Sequence, residues 1–382
     1  MKILVLTKRQ YMGKDLLDDR FGRFWELPLE LARLGHEVQG LALSYRRRPG
    51  GTFVDGDGSS GSGVTWNSVN LLNGYLPQIE RYTRCALQIS REFRPDVIWA
   101  CSDAYHAIFG AWLAKRVRSK CVIDLYDNVE AFKASQLPGV LPLFRRAVKA
   151  ADGVTAFSQR LADHVARTYM RLKPISVIES GARPDIFYPR DRTKCRQHLG
   201  LPQNAKIIGT AGALDSSRGI EALFEGFELL PIEFKDIHLA LAGARDDKQT
   251  IPTGPRIHDF KSLRHEDVPT FLNALDLAVV CYRHSAQGEY SFPQKAYEII
   301  ACRVPLVAAA VGSMNELLKN YPECLYEPEN PASLAGAVQR QLRVKTIIDT
   351  RVPSWCDSAQ QLSDFFQQII RDESTGAMRN HQ

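Results

Sequence analysis

Residues 289–312 read EYSFPQKAYEIIACRVPLVAAAVG, a polar loop, a short helix and an apolar strand in immediate succession. Pro293 suits the first turn of a helix, Gln294 to Arg303 is a helical run, and Pro305 ends it ahead of the strand LVAAAV. That order puts a helix N-terminus at the edge of a sheet. Free backbone N–H groups there suit an anion, and Lys295 adds a point charge. One turn deeper, the Glu298 carboxylate is placed to accept two hydrogen bonds from a ribose diol. The segment reads as a cradle for a nucleotide diphosphate. The competing reading is an ordinary helix with Lys295 and Glu298 on a solvated face.

Outward from this stretch, Val- and Ile-rich strands alternate with helices along most of the chain, the pattern of a parallel sheet covered on both faces. In the first half, strands are expected at 2–7, 36–42, 96–100, 120–125, 153–157 and 175–179. Residues 49–64, PGGTFVDGDGSSGSGV, form the one long Gly/Ser-rich stretch and read as a surface loop. The polar, proline-bearing segment from Asp185 breaks the rhythm, and a domain boundary is expected there. The pattern restarts with strands at 206–210, 238–243, 257–260, 277–281 and 324–326. After Pro353 an amphipathic helix carries Leu362, Phe365, Phe366, Ile369 and Ile370, followed by a polar, frayed end from about 372 to 382. The domain limits are thus 1–187, 188–354 and a closing helix with tail, 355–382.

A chain of 382 residues fits two domains better than one core. With 45% hydrophobic and 24% charged residues it is globular, and its net charge of +6 suits an anionic partner such as a nucleotide sugar or an acidic lipid surface. The eight cysteines are scattered without a C-x-x-C pair, which argues for free thiols, a reducing cytosol and no zinc site. MKILVLTKR is a strand rather than a secretory signal, and no run of about 20 apolar residues spans a bilayer. Membrane contact is therefore expected to be peripheral.

The stretch 289–312 resembles the carboxyl-terminal signature of retaining glycosyltransferases of the large family 4 type, the group 1 glycosyltransferases. The resemblance implies an α/β GT-B fold: two Rossmann-like domains facing a central cleft, with the last helix crossing back to the first. In that family a Glu-x7-Glu pattern places its second Glu on the nucleotide ribose, matched by Glu298. The first falls at Tyr290, with the nearest carboxylate one residue early at Glu289; Tyr290, Ser291 and Phe292 complete the implied donor loop. GTAGALDSSRGIEALFEGFELL resembles the phosphate loop of the second domain. Gly212 is its glycine, Arg218 stands for the usual Lys, and Ala213 occupies the usual Arg position. RIHDFKSL resembles the strand leading to the nucleobase, making Phe260 and Lys261 base-pocket positions, although Phe260 reads equally as core.

The first domain matches less closely. Gly13 stands where relatives carry a Gly-Gly loop for donor approach, and Asp18, Asp19, Arg20 and Arg23 follow it as cleft-facing contacts or cap charges. Asp127, after the strand CVIDLY, matches a family position near the transferred sugar; a structural cap is the alternative. His106 reads as a structural helical histidine.

The expected function is sugar transfer from a nucleotide-diphosphate donor to an acceptor hydroxyl with retention of configuration. Arg218 and Lys295 stabilise the departing diphosphate, and neither a compulsory metal nor another cofactor takes part. The acceptor is expected to be a glycan or lipid-linked glycan in envelope or exopolysaccharide assembly, with no nucleic acid involved. Arg46, Arg47, Arg48, Arg145 and Arg146, beside Leu141, Leu143 and Phe144, either seat the chain on acidic membrane or are solvated surface. The alternative is a GT-B-shaped nucleotide-sugar-binding subunit with little activity, favoured by Ala213 and the displaced Glu289. No G-x-G-x-x-G follows the first strand, which speaks against a nicotinamide oxidoreductase.

Overall fold

The computed structural model describes the chain except residue 12, residues 57–62, 74–75, 246–248, residue 293 and residues 380–382. The sequence reading of Pro293 as a first-turn proline therefore falls outside the described residues. The chain divides into two units, Met1–Ser180 with Trp355–Gln382, and Gly181–Ser354.

In the first unit, the apolar runs become eight strands: β1 (Lys2–Lys8), β2 (Glu37–Ser44), β3 (Gly51–Gly56), β4 (Gly63–Asn70), β5 (Val97–Ala100), β6 (Lys120–Leu125), β7 (Gly153–Ala156) and β8 (Ile175–Val177). They order as β8-β7-β6-β5-β1-β2-β4-β3, parallel except for β3. Helices α1 (Arg23–Arg33), α2 (Ile79–Phe93), α3 (Ala104–Val117), α4 (Val140–Ala150) and α5 (Gln159–Thr168) connect them. The loop expected over 49–64 is corrected here, because its flanks pair as antiparallel strands, with Phe53 opposite Trp66 and Val54 opposite Thr65. Trp66 is 1% exposed and stacks on Trp25, so burial of one face overrides the local glycine content.

The second unit is a six-stranded parallel sheet of β9 (Lys206–Ala211), β10 (Ile237–Ala242), β11 (Ile257–Asp259), β12 (Leu277–Val280), β13 (Leu306–Ala309) and β14 (Leu325–Tyr326). Its order is β11-β10-β9-β12-β13-β14. The helices are α6 (Arg192–Leu199), α7 (Glu221–Glu228), α8 (Val268–Ala274), α9 (Ala286–Tyr290), α10 (Gln294–Ala301), α11 (Ser313–Leu317) and α12 (Pro331–Arg343). Residues 181–187, placed by sequence in the first domain, belong to this unit. Phe187 is buried in its core, and Ala182 donates its backbone N–H to Pro353 O at 2.9 Å.

The closing helix α13 (Trp355–Arg379) returns to the first unit and lies along α1. Trp355, Ala359, Leu362, Phe365, Phe366 and Ile369 enter the first core, and Phe366 meets Trp99 edge to face at 6.0 Å. Where a frayed end was expected from 372, the helix continues to Arg379. All eight cysteines are free thiols. Among the described residues, no helix is long and apolar enough to cross a membrane.

Candidate functional site

In the second unit, β9 and β10 end side by side in glycines at the carboxyl edge of the sheet, where open α/β sheets hold ligands. Gly212 has φ +124°, and a Cβ built on it would lie 2.3 Å from Lys295 Nζ. The ammonium therefore rests directly on the loop backbone, which only glycine permits. Behind it, a Cβ on Gly243 would lie 1.5 Å from Gly212 O, so the two loops are packed main chain to main chain.

Lys295 and Glu298 both lie in the first turns of α10, near residue 294 where that helix begins. Glu298 is 7% exposed, and its Oε1 accepts a hydrogen bond from Gln294 Nε2 at 3.2 Å. Burial raises its pKa to about 7, against the opposing pull of Lys295 and the Gln294 bond. Lys295 is pushed down to about 8, by burial first and by the charge of Arg218 second, with Cys281, Glu298 and Asp215 acting in the other direction. Arg218 ends the short turn Ser216–Arg218, its guanidinium 5.1 Å from the Tyr282 ring centroid. The fold thus brings Gly212, Arg218, Lys295 and Glu298 into one electrostatic neighbourhood. Two cations and a buried carboxylate facing a glycine loop can take an anion and a polyol together.

Arg283, which sequence reasoning did not single out, clamps this loop. Its Nε donates to Ser216 O, one Nη donates to Glu221 Oε2 at 3.1 Å, and the other pairs with Glu329. Glu221 lies on α7 and Glu329 ahead of α12, so Arg283 ties the loop to both and is itself engaged with carboxylates.

The remaining candidates of this unit are spread more widely. Glu289 and Tyr290 end α9, half-buried, with Glu289 N–H donated to Ser285 O at 2.8 Å; the expected open loop is a helical turn here. Ser291 and Phe292 are buried, and Phe292 packs on Tyr297 with centroids 4.6 Å apart. Phe260 meets Phe271 edge to face at 5.6 Å, a packing contact. Lys261 follows it with φ +52°, exposed, its N–H donated to Asp259 Oδ1 at 3.0 Å.

In the first unit, Gly13 has φ +77° in the turn between the paired segments Gln10–Tyr11 and Lys14–Asp15. Asp127 is half-buried after β6, and its Oδ1 accepts the Asn128 N–H at 2.8 Å. Arg23, read as a cleft-facing contact or an exposed cap charge, is instead 1% exposed and forks onto Asp124 at 2.7 and 3.0 Å. Asp18 is taken up by Arg9 at 2.9 Å. Of the suggested membrane patch, Phe144 is 1% exposed in the core and Arg145 pairs with Glu130 at 2.8 Å, whereas Leu143 is 53% exposed. Among the described residues, no cluster of three or more His, Cys, Asp or Glu side chains is placed to hold a metal ion.

Comparison with known proteins meets this geometry at its two halves. The family described as Glycosyl transferases group 1 matches residues 205–343, and that described as Glycosyl transferase 4-like domain matches residues 23–181. The chain belongs to the group 1 glycosyltransferases. It is 26% identical over 254 residues to TuaC of Bacillus subtilis, which carries the name of a teichuronic acid biosynthesis glycosyltransferase; the match covers 65% of this chain and 62% of that protein. It is 24% identical over 308 residues to N-acetyl-alpha-D-glucosaminyl L-malate synthase of Bacillus anthracis, covering 77% of this chain and 76% of that one. Sucrose-phosphate synthase from Thermosynechococcus elongatus superposes with TM-score 0.68 at 18% identity, over 100% of this chain and 99% of that one. Anabaena Alr3699/HepE in complex with UDP-glucose gives 0.67 at 19%, over 98% and 100%. These likenesses fix the GT-B fold of this glycosyltransferase.

Proposed function

We propose that the chain moves a sugar from a nucleotide-diphosphate donor to an acceptor hydroxyl, with retention of configuration. The observation that carries this reading is the seat of Lys295 on the Gly212 loop, beside Arg218 and one turn from buried Glu298. The diphosphate takes the loop N–H groups and both cations, and Glu298 takes the ribose diol. As the bond from sugar to phosphate breaks, negative charge grows on the leaving oxygen. Arg218 and Lys295 stabilise that growing charge more than the ground state, which accelerates transfer without a compulsory metal. The leaving phosphate then accepts the acceptor proton on the same face, so no protein base is required. HepE, solved with UDP-glucose, and TuaC, named for teichuronic acid, favour a nucleotide sugar and an envelope or exopolysaccharide glycan. Asp127 is proposed to orient the sugar or acceptor, and contact with acidic membrane to be peripheral.

Titration calorimetry with UDP, GDP and ADP tests the donor site. Glu298→Gln should weaken the preferred nucleotide by about 1–3 kcal/mol in a folded protein. Unchanged affinity removes Glu298 from the site. A second reading, a nucleotide-sugar-binding subunit of low activity, is favoured by Ala213 and by Arg283 being engaged with carboxylates. It predicts nucleotide binding without hydrolysis or transfer of any donor sugar, and Asp127→Asn then changes stability alone.

A further inference from the structure

Two arginines meet at the loop after β9, and their surroundings differ. Arg218 is half-buried with its guanidinium over the Tyr282 ring, and among the described residues no carboxylate pairs with it. A ring face orients a guanidinium without using its N–H groups. Arg283, the residue after Tyr282, takes the carboxylates at hand. One Nη donates to Glu221 Oε2 at 3.1 Å, the other pairs with Glu329, and the second Glu329 oxygen accepts the His284 N–H at 3.3 Å.

Arg283 is also fixed in place. Its Nε donates to Ser216 O, and a Cβ on Gly219, at φ +68°, would lie 3.0 Å from Arg283 Cγ, so the Arg283 stem lies against the turn that carries Arg218. A Cβ on Gly288 would lie 2.2 Å from Arg283 O, so its main chain is wedged against α9 in turn. Glu221 opens α7 only three residues after Arg218. An arginine engaged by a carboxylate cannot offer the same N–H groups to a phosphate, because both ligands use one fork. While Arg283 holds Glu221 and Glu329, the Arg218 fork keeps its full capacity for an anion, and the two carboxylates are neutralised beside it.

We propose that Arg283 is a positioning residue for the donor diphosphate: it withholds Glu221 and Glu329 from Arg218, whose guanidinium stays on Tyr282 with its N–H groups open to the phosphates. Arg283 acts through Arg218 and does not itself touch the donor. This role rests on the donor reading above, in which Arg218 meets the diphosphate.

Titration calorimetry of the full-length protein, with whichever of UDP, GDP and ADP binds most tightly, tests it. Arg218→Ala should weaken binding about tenfold or more, and Arg283→Met about fivefold or more. In the Arg218→Ala background, Arg283→Met should have no further effect, since the two act through one contact. Adding Glu221→Gln and Glu329→Gln to Arg283→Met should bring affinity back to within about threefold of wild type, a recovery that a purely structural clamp would not give. If Arg283→Met does not fold, Glu221→Gln with Glu329→Gln in the otherwise native chain keeps the test open, because affinity should hold or rise. Wild-type affinity in Arg283→Met overturns the proposal, as does a triple variant no tighter than Arg283→Met, an undiminished effect without Arg218, or a fall of about threefold or more on removing the two carboxylates alone. If none of the three nucleotides binds, or Arg218→Ala binds like wild type, the donor reading itself falls. If Arg218→Ala weakens binding and Arg283→Met does not, only the positioning role falls.

Discussion

Lys295 and Glu298 titrate towards each other, one brought down to about 8 and the other up to about 7, because both are taken from water at the same helix start. A diphosphate needs Lys295 protonated and a ribose diol needs Glu298 ionised. UDP affinity should therefore peak between those values, falling below about pH 7 as Glu298 protonates and above about pH 8 as Lys295 loses its proton. The two limbs belong to the pair rather than to either residue alone. Bound diphosphate stabilises the ammonium, so the alkaline limb of kcat should lie above that of kcat/KM. A flat affinity profile from pH 6 to about 9 removes both groups from the donor site. Elsewhere, Asp124→Ala should cost about 3–5 kcal/mol in urea unfolding, since Arg23 would be left charged in a buried site. Loss of under about 1 kcal/mol would mean that the pair is solvated. Lys295 and Glu298 were legible in sequence because both stand at the start of one short helix, framed by Pro293 and Pro305. Arg283 was not, because Glu221 and Glu329 are 62 and 46 residues away.

At the scale of elements, the β9 loop is shaped by what lies on it. Gly212→Ala places a methyl where Lys295 sits and asks a side-chain residue to hold φ +124°. It should cost roughly 1–3 kcal/mol of stability and reduce UDP affinity together. If affinity holds while stability falls, the loop carries no phosphate. The alternation of strands and helices was legible because parallel strands buried on both faces read as continuous apolar runs, as in KILVLTK. The β3–β4 hairpin was obscured by its glycines, although Val64, Trp66 and Ser68 alternate towards the core. α12 carries its own start and spacing signals. Asn330 caps it by accepting the Ser333 N–H, Pro331 opens it, and Leu334, Ala337, Val338 and Gln341 keep helical spacing on the buried face.

Across the whole molecule, each unit owns a separate hydrophobic core, and the candidate donor residues Gly212, Arg218, Lys295 and Glu298 all belong to the second. Scanning calorimetry should resolve two unfolding transitions, and UDP at 100 times its Kd should stabilise the second unit by about 2.7 kcal/mol while leaving the first in place. One transition displaced as a whole by UDP would mean that the units unfold together. The return of α13 bears on how the protein is made. Chain synthesis delivers Met1–Ser180 first, but that core lacks Trp355, Leu362 and Phe366 until α13 has left the ribosome. The later-made second unit holds every strand of its own sheet by Tyr326, so it completes itself first and the earlier half waits with the Trp99 side of its sheet covered by α1 alone, without α13. A nascent chain stalled before residue 355 would carry that apolar surface to chaperones, and every premature stop upstream of α13 exposes it permanently.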